Sequence, residues 1–142
     1  SYEVVSTGAI VSVKMSVYSY LGGAHGITTL YTWNYDTQKG RLIPLWRVIS
    51  PTKLRQVAKK TETSLESYYR EQGYELDMKW ARERLDPSNR ANYRTFTLLA
   101  DPSGKLREMM IYFADYQIGP HAIGMPTVRV MLPSLSVIGG GQ

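Results

Sequence analysis

The chain has 142 residues, 43% of them hydrophobic and 20% charged, with a formal net charge of +5. That length suits one domain with a true core, and the composition is that of a globular protein rather than a fibrous or disordered one. There is no cysteine, which excludes disulfides, thiolate metal sites and cysteine nucleophiles. No run approaches the ~18 apolar residues of a membrane helix, so the chain is not expected to span a membrane itself.

Residues 2–5 read as a short strand. Residues 10–20 alternate, with Val11, Val13, Met15 and Val17 on one face and Ser12, Lys14, Ser16 and Tyr18 on the other. The stretch "LGGAHG" interrupts the alternation, because its glycines reach backbone angles closed to other residues. Alternation resumes over 27–36, placing Ile27, Thr29, Tyr31, Trp33 and Tyr35 together on one face. A hairpin with the preceding strand is the simplest topology. "DTQKG" is then a turn, and 41–46 returns as a short extended piece.

Ser50-Pro51 opens a helix with a capping hydroxyl and a proline in the first turn. Leu54, Val57, Ala58, Thr61, Leu65, Tyr68 and Tyr69 keep helical spacing up to Gly73. A shorter helix is predicted over 77–85 and stops at "DPSNR". Residues 92–100 and 105–114 form a second hairpin around "DPSG", with Met109, Ile111 and Phe113 facing one way and Met110 and Tyr112 the other. Both faces of that last strand are largely apolar, which predicts a central position. Residues 127–132 alternate once more.

Strands, then helices, then strands predict an α+β domain. It is expected over 1–135 as a mainly antiparallel sheet. Two helices are inserted between the N-terminal and C-terminal hairpins and packed on one face. The glycine-rich end, 136–142, is expected to be a flexible tail. The chain opens on neither Met nor a leader-like segment, so a leader or an upstream domain of the same chain is expected to precede it.

Chemistry-bearing residues are few. The two histidines, His25 and His121, each lie in a glycine loop, "GGAHG" and "IGPHAIG". A zinc site would need both imidazoles and a carboxylate such as Asp36 or Asp115. No HxH, HxxxH or HExxH spacing gathers ligands locally, so no metal site is expected. No GxSxG elbow signals a serine nucleophile. A glycosidase would need two carboxyl groups about 5–10 Å apart; Asp36 and Asp115 are the candidates, and Asp36 reads first as turn chemistry. No phosphate loop and no GxGxxG are present, so no cofactor is expected.

Tyrosine is abundant, with 11 against 2 phenylalanines. The stripe Tyr31, Trp33, Tyr35, with Tyr18 and Tyr20 nearby, would stack on sugar rings or anchor a protein if exposed. It would be core if the long helix covered it. Lys79, Arg82, Arg84, Arg90 and Arg94 form a basic cluster, either a solvated face or an attraction for anionic partners. The cluster falls in the helical region and does not interleave with the aromatics, so no nucleic acid is expected as a partner.

Two motifs carry a family resemblance over roughly 10–135. They are "YSYLGGAHGITTLYTWNYDTQKGRLIPLWRVI" and "MMIYFADYQIGPHAIGMPTVRVMLPSL". Together they resemble a bacterial envelope domain of unknown function. That domain occurs in the extracytoplasmic part of a lysozyme-sensing anti-sigma factor and beside a peptidoglycan deacetylase domain. Gly22, Gly23, Ala24, His25 and Gly26 match the first motif, and Tyr116, Gly119, Pro120, Ala122 and Gly124 the second. His121 stands where the family usually has Tyr, which keeps a two-histidine site open. The family's acidic residue is replaced around Trp46-Arg47.

The resemblance implies an extracytoplasmic, non-catalytic sensor or binding module. Its ligand would be a cell-wall glycan or a glycan-acting protein such as lysozyme. The expected ligand-binding residues are Gly23, His25, Gly26, Tyr31, Trp33, Tyr116 and His121. The alternative is an enzyme of wall polysaccharides, a deacetylase or hydrolase, built on His25, His121 and Asp36 or Asp115.

Overall fold

In the computed structural model, which describes residues 1–141, the chain is α+β. The first four strands are β1 (Tyr2–Ser6), β2 (Ile10–Ser19), β3 (Ile27–Asp36) and β4 (Arg41–Leu42). They form one four-stranded antiparallel sheet in chain order. Register aligns Tyr2, Met15 and Tyr31 in one row, Val4, Val13 and Trp33 in the next, and Val11, Tyr35 and Leu42 in a third. The opposite face carries Ser12, Lys14, Thr32 and Asn34. β4 ends at Leu42 rather than reaching residue 46. Pro44 has no N–H to donate to a ladder, and the chain turns instead into the one-turn helix α1 (Leu45–Val48).

Helix α2 (Pro51–Glu71) starts where Ser50 Oγ accepts from the Lys53 N–H at 3.3 Å. It ends in a Schellman turn. Gly73, at φ +78°, donates to the Arg70 carbonyl, and Tyr74 reaches back to the Tyr69 carbonyl. The buried stripe is Leu54, Val57, Ala58, Thr61, Leu65 and Tyr69. Helix α3 (Met78–Leu85) is capped by Asp77, and its Arg82 guanidinium meets Glu62 of α2 at 2.6 Å.

Strands β5 (Phe96–Ala100), β6 (Leu106–Tyr112), β7 (Thr127–Met131) and β8 (Val137–Gly141) form a second four-stranded antiparallel sheet. The apolar-on-both-faces strand is β6, and it is central, with Met109, Ile111 and Tyr112 buried. β5 starts later than residue 92, because Arg90–Tyr93 is a 3₁₀ turn. There the Asn89 carboxamide accepts from Ala91, and the Tyr93 hydroxyl donates to the Leu85 carbonyl.

The antiparallel strands divide into two sheets, because side chains rather than a strand cover the outer edge of β5. Thr32 Oγ1 accepts from the Phe96 N–H at 3.1 Å, and Asn34 Nδ2 donates to the Phe96 carbonyl at 2.9 Å. Ser12 Oγ accepts from the Leu98 N–H at 2.9 Å, and Ser6 Oγ donates to the Leu98 carbonyl at 2.8 Å. An edge that would otherwise carry buried, unpaired backbone groups is satisfied residue by residue.

One correction concerns the end of the chain. Val137–Gly141 is not a tail but strand β8, paired to β7 and packed under α2. Its glycines are there for room. A Cβ on Gly139 would lie 2.6 Å from Ser64 Oγ, and one on Gly140 would enter the Tyr68 ring. Residue 142 lies outside the described residues.

The core lies between α2 and the second sheet, with Leu65, Val57, Leu98, Met109, Phe113, Val128 and Val130 all buried. The helices cover that sheet and leave the outer face of the first one open. Tyr31, Trp33 and Tyr35 are 47%, 44% and 40% exposed, so the aromatic stripe is surface rather than core. Among the described residues no helix is long and apolar enough to cross a membrane.

Candidate functional site

The two glycine loops meet. The first, between β2 and β3, turns through Gly22 and Gly23 at φ +100° and +102°. Tyr20 pins it by donating its hydroxyl to the Gly23 carbonyl at 2.9 Å. Gly26 is required by close approach, since a Cβ there would fall inside the Tyr18 ring. These constraints hold His25 at the loop tip.

The second loop leaves β6 and returns into β7. Gln117, which is buried, fastens it. Its Oε1 accepts from the Ala114 N–H at 3.0 Å, and its Nε2 donates to the carbonyls of Asn92 at 3.0 Å and Arg84 at 3.2 Å. The Trp80 indole donates to the Gln117 carbonyl at 3.0 Å. Held this way, Tyr116 adopts φ +64°, a left-handed conformation that costs a non-glycine residue about 1–2 kcal/mol.

At the junction, the rings of His25 and His121 stack, with centroids 3.8 Å apart and planes 6° from parallel. The Tyr116 hydroxyl lies 2.9 Å from His25 Nε2. Behind them, both oxygens of Asp115 lie within 3.0 Å of His121 Nδ1. The Asp115 side chain is 4% exposed. A carboxylate only accepts, so His121 Nδ1 carries the proton and donates it. In the neutral ring, Nε2 is then an acceptor.

The expected site residues divide into two groups. Gly23, His25, Gly26, Tyr116 and His121 come together at the junction. Tyr31 and Trp33 lie farther along β3, stacked at 6.3 Å with planes 21° apart. From Ile27 to Trp33 an extended strand covers about 20 Å. Asp36 stands at the far end of β3, where its Oδ1 accepts from the N–H groups of Gln38 and Lys39. It is a turn cap and cannot share a cleft with His25; Asp115 alone of the two acids joins the histidines. Among the described residues, no group of three or more His, Asp or Glu is placed to hold a metal ion.

Two features had no signal in the chain. Gln117 acts through partners distant in sequence, and nothing local marks it. The other is a groove of about 640 Å³ beside the end of β3, lined among others by Trp33, Leu42, Pro44, Trp46, Arg90 and Arg94. A smaller groove of about 320 Å³ continues it along Thr29–Trp33 to Arg94 and Thr95. The Arg47 guanidinium lies 4.8 Å from the Trp46 ring centre.

Solved structures that share this fold include two DUF3298 proteins. One is a DUF3298 family protein from Pseudomonas aeruginosa PAO1, with a TM-score of 0.64 and 16% identity, over 99% of this chain and 63% of that one. The other is a member of the DUF3298 family from Bacteroides fragilis, with a TM-score of 0.64 and 17% identity, over 99% of this chain and 53% of that one. The likeness is one of fold, and the chain spans under two thirds of the length of either. No family model and no curated protein matches the sequence.

Proposed function

We propose that this domain is a non-catalytic recognition module of the bacterial cell envelope, acting outside the cytoplasm. Its ligand is a cell-wall glycan or a protein that acts on one, as lysozyme does. The observation that carries the reading is the junction. Loops 91 residues apart bring His25 and Tyr116 to 2.9 Å, and His121 stacks on the same imidazole. That arrangement offers flat ring faces, a phenol and an imidazole acceptor, the groups that recognise hydroxyl-rich ligands. The exposed Tyr31–Trp33 pair extends the surface along β3. The envelope assignment rests on the two-motif resemblance.

The test is binding. Peptidoglycan fragments, chitooligosaccharides and lysozyme are titrated against the wild-type domain and against His25→Ala and Trp33→Ala. Binding of at least one ligand, weakened by either substitution, supports the reading. No interaction with any of them at millimolar glycan or high micromolar lysozyme sinks it.

One observation favours an enzyme as the second reading. The buried Asp115 orients His121 through Nδ1, as an acid orients a general base. A hydrolase or deacetylase would then lose its turnover in His121→Ala. Absence of turnover on the same glycans by the wild-type domain disposes of this alternative.

A further inference from the structure

We infer that the open edge of β3 is the seat of an added strand, supplied by an extended, acidic peptide segment of a partner protein. The geometry comes from the register. Ile43 donates to the Asn34 carbonyl at 2.8 Å from the β4 side. Backbone groups alternate along a strand, so those of Thr32, Leu30 and Thr28 point the same way. β4 pairs only with Tyr35 and Asp36 before Pro44 takes the chain away. Along the rest of β3, no described residue meets those backbone groups on that side.

This edge lacks the usual protections. Residues 27–34, "ITTLYTWN", contain no charge, no proline and no glycine, and β2 pairs with them without a bulge. Edges like this are ready templates for another chain, and β-augmentation is the recognition mode that uses them. β1, the other edge of the sheet, is interrupted by a register shift between Val4 and Ser6 and carries Glu3.

The two grooves beside β3 give the occupant its chemistry. A strand continuing the line of β4 would place one set of side chains beside Tyr31 and Trp33, which calls for apolar groups. The other set would face the side where Thr32 meets Phe96 and where Arg94 borders both grooves. Arg90 and Arg94 make no ion pair with any described residue, so carboxylates complement that side. The occupant is an alternating apolar and acidic strand. The edge lies along β3 away from the histidine junction and shares only Tyr31 and Trp33 with the surface proposed there. Slowed exchange at Leu30 and Thr32, which a ligand on the ring faces alone would not cause, tells the two apart.

The probe is the capped peptide acetyl-Val-Glu-Val-Glu-Val-Glu-Val-amide, titrated against the whole domain. Amide hydrogen exchange at Leu30 and Thr32 is expected to slow at least tenfold on saturation. Methylating the peptide nitrogens on one edge at a time is expected to weaken binding tenfold or more for one edge only. Arg94→Glu and Arg90→Glu are each expected to weaken it severalfold, and His25→Ala to leave it unchanged. Unaltered exchange at Leu30 and Thr32 at millimolar peptide overturns the inference, as does equal binding of both methylated forms. A chitooligosaccharide that perturbs tryptophan fluorescence here without slowing those amides would assign the groove to a glycan and also overturn it.

Discussion

The carboxamide of Asn34 donates to the backbone carbonyl of Phe96 at 2.9 Å across a separation of 62 residues. Its oxygen accepts from Ser12, whose own oxygen takes the Leu98 N–H. The inward face of the first sheet is therefore polar because it substitutes for a strand beside β5. Its outward face is apolar, the reverse of the ordinary pattern for a half-buried sheet. That inversion leaves Tyr31 and Trp33 exposed.

Asn34→Ala is expected to destabilise the domain by about 1–3 kcal/mol, the cost of stranding a buried acceptor. Urea unfolding should show a lower midpoint with an unchanged slope. A change below a few tenths of a kcal/mol would mean that the seam between the sheets contributes little.

Trp33→Ser is expected to leave stability within about 0.5 kcal/mol of wild type, as for other surface positions. Trp33 is 44% exposed and lies outside the buried core. The same unfolding experiment checks it. A large loss would show that the aromatic face is covered in solution.

Gly140→Ala should be severe. The residue sits at φ +102°, and its Cβ would enter the Tyr68 ring. Left-handed strain and overpacking each cost about 1–3 kcal/mol. Thermal melts of Gly140→Ala and of a chain ending at residue 136 should both fall well below wild type. A frayed tail would leave both unchanged.

Tyr116→Gly is expected to be more stable than Tyr116→Ala by about 1 kcal/mol, because only glycine occupies φ +64° without strain. Tyr116→Phe removes the hydroxyl beside His25 and should shift the imidazole resonances of His25 with little change in stability. NMR and chemical denaturation together separate the two effects.

Burial pushes the Tyr69 phenol up to about 12, and its hydroxyl donates to the Ile123 carbonyl. Burial also pushes Tyr93 up. The unfolded chain releases these protons near pH 10, whereas the folded one keeps them. The folded state therefore binds more protons, and stability falls as pH rises from about 10 towards 12. Below pH 10 the contribution is fully present. Tyr69→Phe should make the alkaline loss shallower, with Tyr93 supplying what remains. A pH series of urea midpoints reads the slope.

Much of the fold was legible in local pattern. Alternation marked β2 and β3, because a half-buried strand must present one kind of side chain to each side. Ser50-Pro51 and Gly73 marked the ends of α2, because caps answer a local backbone demand. The glycine end misled, since a strand under a helix can be built from glycines when the helix comes close, and only Ser64 and Tyr68 reveal that. The site was half legible. The glycine loops announced His25 and His121, but the contributions of Asp115 and Gln117 depend on partners brought together by folding.

The chain by itself determined the long strands β2 and β3, the two longer helices, the α+β order, and the tight turns that carry both histidines. These follow from interactions within a few residues. Tertiary structure decided that the two loops share a rim, that Asp36 is excluded from it, and that the aromatic face looks outward while β3 keeps an open edge. Those outcomes depend on how Ser6, Ser12, Thr32 and Asn34 satisfy the backbone of β5. No local pattern records a hydrogen bond that spans 62 residues.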